Sequence, residues 1–323
     1  MIVTKTPLRV SFFGGGSDIP DFYEHYKGMV VSTTIDKYIQ LAVNICKTDH
    51  TRVIYSEMEV ALSANEIKHD RVRSALQRFN IKNNIEICSF SDVPTKGTGL
   101  GSSSTFTVGL VNALYNMHSR KYNKKDLAET ACEIEIKDCK QPIGKQDQYA
   151  ATYGGFNVIR FDHSGVEVTS INVSSGTLMD LNNNMLCFST GIFRQASGIL
   201  GKQVDGLQKG SNIEMTKTMV SMAERSTILL RKGKIDDFGA MLHDSWEIKK
   251  KLAANISNPQ IDDMYEIARE NGALGGKILG AGGGGYLLLY VQGKNKLKLM
   301  RAMQGYRPFH FNFTDTGSTA ISL

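Results

Sequence analysis

The chain has 323 residues, of which 41% are hydrophobic and 22% charged, and its formal net charge is +6. This composition excludes a disordered or fibrous protein, and the length exceeds what one hydrophobic core usually supports, so we expect two domains. Because the basic residues are spread along the chain, nucleic acid is not expected as a partner, whereas a slightly positive cleft suits a small phosphorylated molecule.

The sequence shows no sign of export or membrane insertion. No apolar run approaches the roughly eighteen residues that span a bilayer, and the start lacks a basic segment followed by an apolar signal core. The five cysteines are scattered, without the C-x-x-C spacing of zinc or redox sites. We predict a cytoplasmic protein with reduced thiols and no membrane partner; an oligomer is possible but not indicated.

In chain order, both halves are predicted to mix strands and helices. In the first half, strands are predicted over 2–10, 30–45, 52–56 and 84–89, and helices over 67–79, 105–120, 124–137 and 144–153. In the second half, strands are predicted over 166–172, 185–189 and 286–291, and helices over 212–231, 235–253 and 261–270. A boundary near residue 165 gives domains of 1–165 and 166–323.

The segment PTKGTGLGSSSTF over 94–106 leads directly into a predicted helix. Glycines let the backbone approach a ligand with its N–H groups pointing inward, and a helix N-terminus carries about half a positive charge. The serines at 102–104 add hydroxyls for phosphate or Mg²⁺. We predict a phosphate-binding loop, with a serine-capped turn as the alternative; the chain has no G-x-x-x-x-G-K-[ST] Walker loop.

A second glycine cluster lies in KILGAGGGGYLLLYV over 277–291, where Gly280, Gly282 and Gly285 have the G-x-G-x-x-G spacing of dinucleotide-binding folds. Such a fold requires a helix after the loop, whereas here an apolar strand follows. We predict a tight loop that passes beneath another backbone or a ligand, with a plain hairpin connection as the alternative.

Charged residues near these loops provide groups for phosphoryl transfer to a sugar. In PLRVSFFGGGSD over 7–18, Asp18 is suited to receive sugar hydroxyls and Arg9 to stabilise charge on the transferring phosphoryl. Farther along, Glu133, Glu135 and Asp147 lie near predicted helix ends, where carboxylates can accept a hydroxyl proton or hold Mg²⁺. A solvated helix face is the alternative for Glu133, and likewise for Asp138.

Together and in this order, the three glycine-rich segments resemble the motifs of the GHMP kinase superfamily, named for galactokinase, homoserine kinase, mevalonate kinase and phosphomevalonate kinase. The resemblance covers nearly the whole chain. It implies an α+β fold with an N-terminal ribosomal-protein-S5-domain-2-like α/β domain and a C-terminal ferredoxin-like α+β domain.

The resemblance also implies roles for individual residues. Those expected to bind the ATP phosphates are Pro94, Gly97, Gly99, Leu100, Gly101, Ser102, Ser103 and Ser104. Ser103 and Glu135 match the family's Mg²⁺ ligands, although the sequence leaves open which loop serine binds the metal. Asp147 corresponds to the catalytic aspartate, and Arg9 to the basic residue that assists the acceptor hydroxyl.

Departures from the family pattern narrow the acceptor. GGGSD replaces the galactokinase G-E-H-x-D, and PIGKQDQYAATYGGFN and FHFNFTDTGS are similar to kinases that phosphorylate the anomeric hydroxyl of heptose 7-phosphate. A fucose-like or unphosphorylated sugar is the alternative. The residues expected to contact the substrate are Gly15, Gly16, Asp18, Arg194, Gly282 and Gly283.

A substrate that already carries a phosphate needs a second anion site. GIFRQASGILGKQ offers Arg194 and Lys202 for it, although a surface salt bridge explains Arg194 equally well. In LHDSWEIKKKL, Trp246 with His243 and Lys249 would line a sugar pocket, with core packing of Trp246 as the alternative.

Two functions of other classes fit parts of the pattern. A catalytically silent sensor with a kinase fold would bind sugar and ATP, but it would have no use for Arg9, Glu135 and Asp147 together. A nicotinamide dehydrogenase would instead be built on the glycines at 280–285.

Overall fold

The computed structural model describes residues 1–94, 97–194 and 197–323. Within them, nine strands form one sheet and three strands form a second sheet. In chain order the strands are β1 (Ile2–Phe13), β2 (Gly28–Ile45), β3 (Thr51–Ile54), β4 (Met58–Ala61), β5 (Ile85–Ser91), β6 (Asn157–Asp162), β7 (Gly165–Ser170), β8 (Met185–Ser189), β9 (Ala273–Ile278), β10 (Tyr286–Val291), β11 (Phe313–Thr314) and β12 (Thr319–Ser322).

Helices pack against both sheets. In chain order they are α1 (Pro20–Tyr23), α2 (Asp70–Arg78), α3 (Ser102–Met117), α4 (Lys124–Cys132), α5 (Gln146–Tyr153), α6 (Ser175–Asn183), α7 (Ser197–Gln208), α8 (Ile213–Arg231), α9 (Ile235–Lys249), α10 (Pro259–Glu270) and α11 (Gly293–Ala302). A 3₁₀ turn covers Ala64–Glu66, and a π-helical turn over Glu133–Asp138 continues α4. Among the described helices, none is long and apolar enough to cross a membrane.

β2 organises the large sheet because its 18 residues reach four other strands. The main path is β12-β1-β2-β5-β3-β4, and β6 and β11 pair with the first half of β2. That half is buried along its whole length, whereas the second half alternates more between buried and partly exposed residues. A strand segment that is covered on both faces needs a continuous run of apolar and β-branched residues, and a segment covered on one face needs alternation. The sequence of β2 shows the first pattern and then the second.

The large sheet extends beyond the predicted boundary at residue 165. β7 pairs with β6, and the last two strands, β11 and β12, pair with β2 and β1. The small sheet, in the order β8-β10-β9, lies within the C-terminal half and packs against α9 and α10. The two sheets thus confirm the mixed α and β fold, while residues 313–322 belong to the sheet of the N-terminal half.

Most predicted elements are present with shifted ends. The helix predicted over 67–79 begins at Asp70, because the His69 side chain accepts a hydrogen bond from the Val72 N–H and caps it. The helix predicted over 124–137 is α4 together with the π-helical turn. α3 lies at the centre, with 12 of its 16 residues buried, and packs across β1 and β2. The glycine-rich loop therefore leads into a rigid helix N-terminus.

Candidate active site

A cavity of about 410 Å³ lies between the two halves of the chain. Residues of β1, α3 and α5 line one wall, and residues of α7, α8, α9 and β9 line the other. The predicted site residues that line it are Arg9, Gly15, Gly16, Asp18, Gly97, Gly99, Gly101, Ser102, Ser103, Ser104, Glu135 and Asp147. Residues from distant parts of the sequence are therefore brought into one cavity.

The phosphate loop is built from glycines in left-handed backbone conformations. Gly97, Gly99 and Gly101 have φ values of 73°, 75° and 77°, which residues with a Cβ rarely adopt. Gly101 immediately precedes α3, so the N–H groups of the first helical turn lie beside the loop. Thr95 and Lys96 of the predicted loop lie outside the described residues.

The second glycine cluster packs directly on this loop. A Cβ on Gly280 would lie 2.5 Å from the Gly99 Cα, and a Cβ on Gly285 would lie 2.5 Å from the Thr98 carbonyl oxygen. The glycines connect β9 to the antiparallel strand β10. The cluster is therefore a hairpin connection and also a tight loop against another backbone, so both predicted interpretations apply to it. The strand β10 follows this loop, whereas a dinucleotide site requires a helix there.

Not every residue predicted to bind a ligand lies in the cavity. Gly282 and Gly283 pack against Ile256 and Ile199, so the cavity lining from this loop is Gly280 and Ala281 instead. Pro94 is exposed, and Leu100 is fully buried in the core. These four residues do not line the cavity, and their contacts with substrate and nucleotide stay predictions.

Arg9 and Asp147 form a two-pronged ion pair in the middle of the cavity wall. The Arg9 Nε donates to Asp147 Oδ1 (2.7 Å) and its Nη2 donates to Oδ2 (2.8 Å). The remaining nitrogen, Nη1, donates to the Gly99 carbonyl (2.6 Å). The Arg9 side chain is 4% exposed and that of Asp147 is 23% exposed, so the carboxylate is the group that a ligand can reach. This geometry fixes the carboxylate against the phosphate loop.

Asp18 holds the turn before α5 to the turn after β1. Its Oδ1 accepts hydrogen bonds from the Gly16 N–H (2.9 Å) and Gln146 Nε2 (3.0 Å), and its Oδ2 accepts one from the Gln146 N–H (3.1 Å). A Cβ at Gly144 would lie 2.0 Å from Oδ2, which explains the glycine in PIGKQD. Burial raises the pKa of Asp18.

Two buried polar atoms beside Asp18 have no partner within the described residues. They are the Gln146 Oε1 and the Ser11 Oγ, and both residues line the cavity. Buried polar groups are normally hydrogen-bonded. These two atoms are therefore suited to bind ligand hydroxyls. The sequence predicted this role for Asp18 alone.

Glu135 is completely buried and already bonded on both oxygens. Its Oε1 accepts from Arg71 Nε (2.8 Å) and its Oε2 from Gln148 Nε2 (2.6 Å). Of the loop serines, Ser102 shares a hydrogen bond with Thr98 (3.0 Å) and Ser104 is buried. Ser103 is the exposed one and faces the cavity.

The predicted second anion site is not part of the cavity. Arg194 is exposed, and its backbone abuts Gly97, while Lys202 is exposed on α7. The adjoining residues 195 and 196 lie outside the described residues. Trp246 is fully buried in the core beneath the small sheet, and His243 bonds to the Tyr265 hydroxyl (2.9 Å), so both serve packing.

Sequence reasoning missed several cavity residues. Arg71, Gln146, Ser11 and Lys277 line the cavity, and none was singled out, whereas Lys249 was suggested together with Trp246. Lys277 did carry a signal, since it is a lone charge in the apolar strand ALGGKI. A charged residue inside a buried strand is rarely retained without a partner or a ligand.

Comparison with known proteins identifies the family of this chain. The family model for the N-terminal domain of GHMP kinases matches residues 65–155, and that for the C-terminal domain matches residues 227–303. D-glycero-alpha-D-manno-heptose 7-phosphate kinase from Campylobacter jejuni is 30% identical over 98% of this chain and 97% of its own length. Mevalonate kinase from Methanothermobacter thermautotrophicus is 25% identical over 84% of this chain and 87% of its own.

The fold comparison points the same way. A D-glycero-D-manno-heptose 1-phosphate kinase structure from Bacteroides thetaiotaomicron superposes with a TM-score of 0.82 at 24% identity, covering 100% of this chain and 99% of that one. The chain therefore belongs to the GHMP kinase family. The predictions of a two-domain GHMP kinase fold and of an ATP-dependent sugar kinase are confirmed.

Proposed function

We propose that this kinase transfers the γ-phosphoryl of ATP to the anomeric hydroxyl of D-glycero-alpha-D-manno-heptose 7-phosphate. The observation that supports the transfer step is the Arg9–Asp147 pair, which lies against the phosphate loop. The Ser11 Oγ and the Gln146 Oε1, which have no partner among the described residues, line the same cavity. The choice of heptose 7-phosphate is supported by the relative from Campylobacter jejuni that is named D-glycero-alpha-D-manno-heptose 7-phosphate kinase and matches nearly the full length of this chain.

The loop over 97–104 and the N-terminus of α3 would hold the ATP phosphates. Their backbone N–H groups lie beside the cavity, and a helix N-terminus favours negative charge. No Walker lysine is needed for this arrangement, because positive charge beside the phosphates comes from Arg9 and from the N-terminus of α3.

The donor set also fits Mg²⁺. Ser103 offers a hydroxyl and Glu135 a carboxylate that line the same cavity, and Mg²⁺ takes oxygen ligands, usually few from protein and several from water and substrate phosphates. Within the described residues there is no group of three or more acidic, histidine or cysteine ligands, so nucleotide phosphates would complete the shell. When bound, the ion neutralises charge on the β- and γ-phosphates.

Asp147 would act on the acceptor hydroxyl. The hydroxyl oxygen forms a bond to the γ-phosphorus, the bond from that phosphorus to the bridging oxygen breaks, and ADP leaves. Asp147 accepts the hydroxyl proton, and the Arg9 guanidinium keeps its carboxylate oriented for that purpose. The products are the heptose 1,7-bisphosphate and ADP.

Release of ADP across a panel of sugars tests this proposal. The panel contains heptose 7-phosphate, free heptose, fucose, mannose and arabinose, and phosphorus NMR locates the new phosphate. We expect the highest kcat/KM for heptose 7-phosphate and a phosphate on its anomeric carbon. Preference for an unphosphorylated sugar would overturn the heptose assignment, and ATP binding without ADP release on any sugar would favour the silent sensor. A cytoplasmic location is part of the same proposal.

A further inference from the structure

Two lysines face the cavity from the C-terminal half of the chain. Lys249 is the last residue of α9 and Lys277 lies on β9, and they are only 6% and 3% exposed. The Lys249 Nζ donates to the carbonyls of Ile278 (3.1 Å) and Gly280, and the Lys277 Nζ donates to the Phe12 carbonyl (2.8 Å). Since an ammonium has three N–H donors, both lysines retain donors for a ligand.

The lysine pair lacks a negative partner within the described residues, where no carboxylate lies within ion-pair distance of either. Burial, with a contribution from the Arg9 charge, lowers the pKa of Lys249 to about 7. Burial and the charges of Lys249 and Arg9 hold the pKa of Lys277 well below its usual range. A buried cation without a counter-charge is costly, so a bound anion would be favoured here.

The lysine pair lies between β1 and the glycine hairpin that packs on the phosphate loop, because the Lys249 Nζ donates to the Gly280 carbonyl and a Cβ on Gly280 would lie 2.5 Å from the Gly99 Cα. Phe12, whose carbonyl binds Lys277, is the next-to-last residue of β1, which leads into the turn that carries Asp18. The ATP phosphates have their own cradle in the loop over 97–104, which the other wall of the cavity provides. A second anion in the same cavity is therefore expected to arrive with the acceptor.

We propose that Lys249 and Lys277 bind the phosphate that the sugar already carries, and so select a sugar phosphate over the free sugar. The inference rests on the proposed kinase function, because it assigns the place of the acceptor in that cavity. It replaces the site predicted at Arg194 and Lys202, which are exposed and do not line the cavity. Binding of the phosphate also favours the protonated form of both lysines.

Kinetics of Lys249→Met and Lys277→Met with two acceptors test the inference. For heptose 7-phosphate we expect kcat/KM to fall by about 10- to 100-fold in each variant, since a charge-assisted hydrogen bond is lost. For free heptose we expect values within about threefold of the wild type, because no phosphate is bound. An equal loss with both acceptors would assign the lysines to the γ-phosphate and overturn the inference.

A binding measurement keeps the test independent of turnover. With ADP saturating the nucleotide site, calorimetric titration of heptose 7-phosphate and of inorganic phosphate should show binding to the wild type and loss of it in both variants. Lys251→Met is the matched control, because this lysine is exposed just beyond α9. Unchanged ADP affinity shows that each variant is folded.

The two proposals fail in different ways. If the wild type does not phosphorylate heptose 7-phosphate but loses inorganic phosphate binding in the Lys277→Met variant, the anion site stands and the heptose assignment falls. If heptose 7-phosphate is the acceptor and both variants bind and turn it over like the wild type, the anion site is wrong and the kinase proposal stands. Absence of phosphate binding to the ADP-bound wild type would also overturn the site.

Discussion

The two walls of the cavity differ in whether their charged side chains form ion pairs. On the N-terminal wall the charges have partners: Arg9 pairs with Asp147, and Arg71 pairs with the buried Glu135. These groups are held in place before any ligand binds, as preorganised groups for catalysis need to be.

On the C-terminal wall, Lys249 and Lys277 contact carbonyl oxygens and are without a carboxylate partner among the described residues. A bound anion would supply the negative partner for these two lysines. The difference indicates that substitutions on the first wall should change turnover, whereas substitutions on the second should change which acceptor is bound.

Replacement of Asp147 by Asn should have the largest effect on the first wall. Asparagine cannot accept the hydroxyl proton, and Arg9 loses its anionic partner, so we expect turnover to fall by about 1,000- to 10,000-fold. ADP affinity should be retained, because the phosphate loop is unchanged. Asp138→Asn is the control, since Asp138 pairs with Arg78 at the surface and should leave turnover intact. Wild-type turnover in Asp147→Asn would remove it from catalysis.

Gly99→Ala should disturb the contact between the walls. A Cβ at Gly99 would lie 2.2 Å from the Leu279 carbonyl oxygen, and its φ of 75° disfavours alanine. We expect the free energy of unfolding, measured with urea, to drop by at least about 1 to 2 kcal/mol, with a higher KM for ATP. At Gly201, in α7, a Cβ meets nothing within 4 Å, so Gly201→Ala should stabilise by up to about 1 kcal/mol. Equal stability of both variants would contradict the loop-on-loop contact.

Binding on the second wall should depend on pH near neutrality. In the free protein Lys249 loses its proton around its pKa of about 7, so affinity for the sugar phosphate should weaken above that pH by up to about tenfold per pH unit. Since an unfolded lysine keeps its proton up to about its ordinary pKa of 10.5, the free energy of unfolding should rise between these two values.

Calorimetry and urea unfolding at several pH values measure both trends, and Lys249→Met should flatten them. Arg9 and Lys277 are the cations that face Lys249, and a flat profile in the wild type would show that the lysine keeps its proton.

The smallest expected effect is at Ser11. Its Oγ is buried without a partner among the described residues, so Ser11→Ala should leave the free energy of unfolding unchanged. The same change should raise the KM for the sugar about fivefold, which corresponds to the loss of one hydrogen bond. Ser32 on β2 has an equally unpartnered Oγ but does not line the cavity. Ser32→Ala should therefore change neither quantity, and a matching KM change in both variants would rule out a direct contact.

That Arg9, Asp147 and the phosphate loop share one cavity could be predicted from the sequence, because these residues lie in short local motifs. Arg9 and Asp147 are 138 positions apart, yet each lies beside a glycine-containing turn whose chemistry is readable locally. The sequence does not decide whether Trp246 is buried, because an aromatic residue on a helix fits a hydrophobic core as well as a sugar pocket.

The acceptor wall was harder to predict because its chemistry arises from tertiary packing. Arg194 looked suitable by charge and position, but the sequence does not reveal that its side chain is exposed. Lys277 gains its environment from Phe12, 265 residues away in the chain. The pairing of β11 and β12 with the first sheet likewise depends on long-range contacts that local patterns do not encode.

Where the phosphate loop meets the second glycine cluster, the backbone of Gly99 packs directly on the backbone of Gly280. A contact without side chains does not require matched sequences on its two sides, only that both positions remain glycine. Chimeras that exchange the hairpin loop over 277–285 for that of a relative should therefore keep its contact with the phosphate loop.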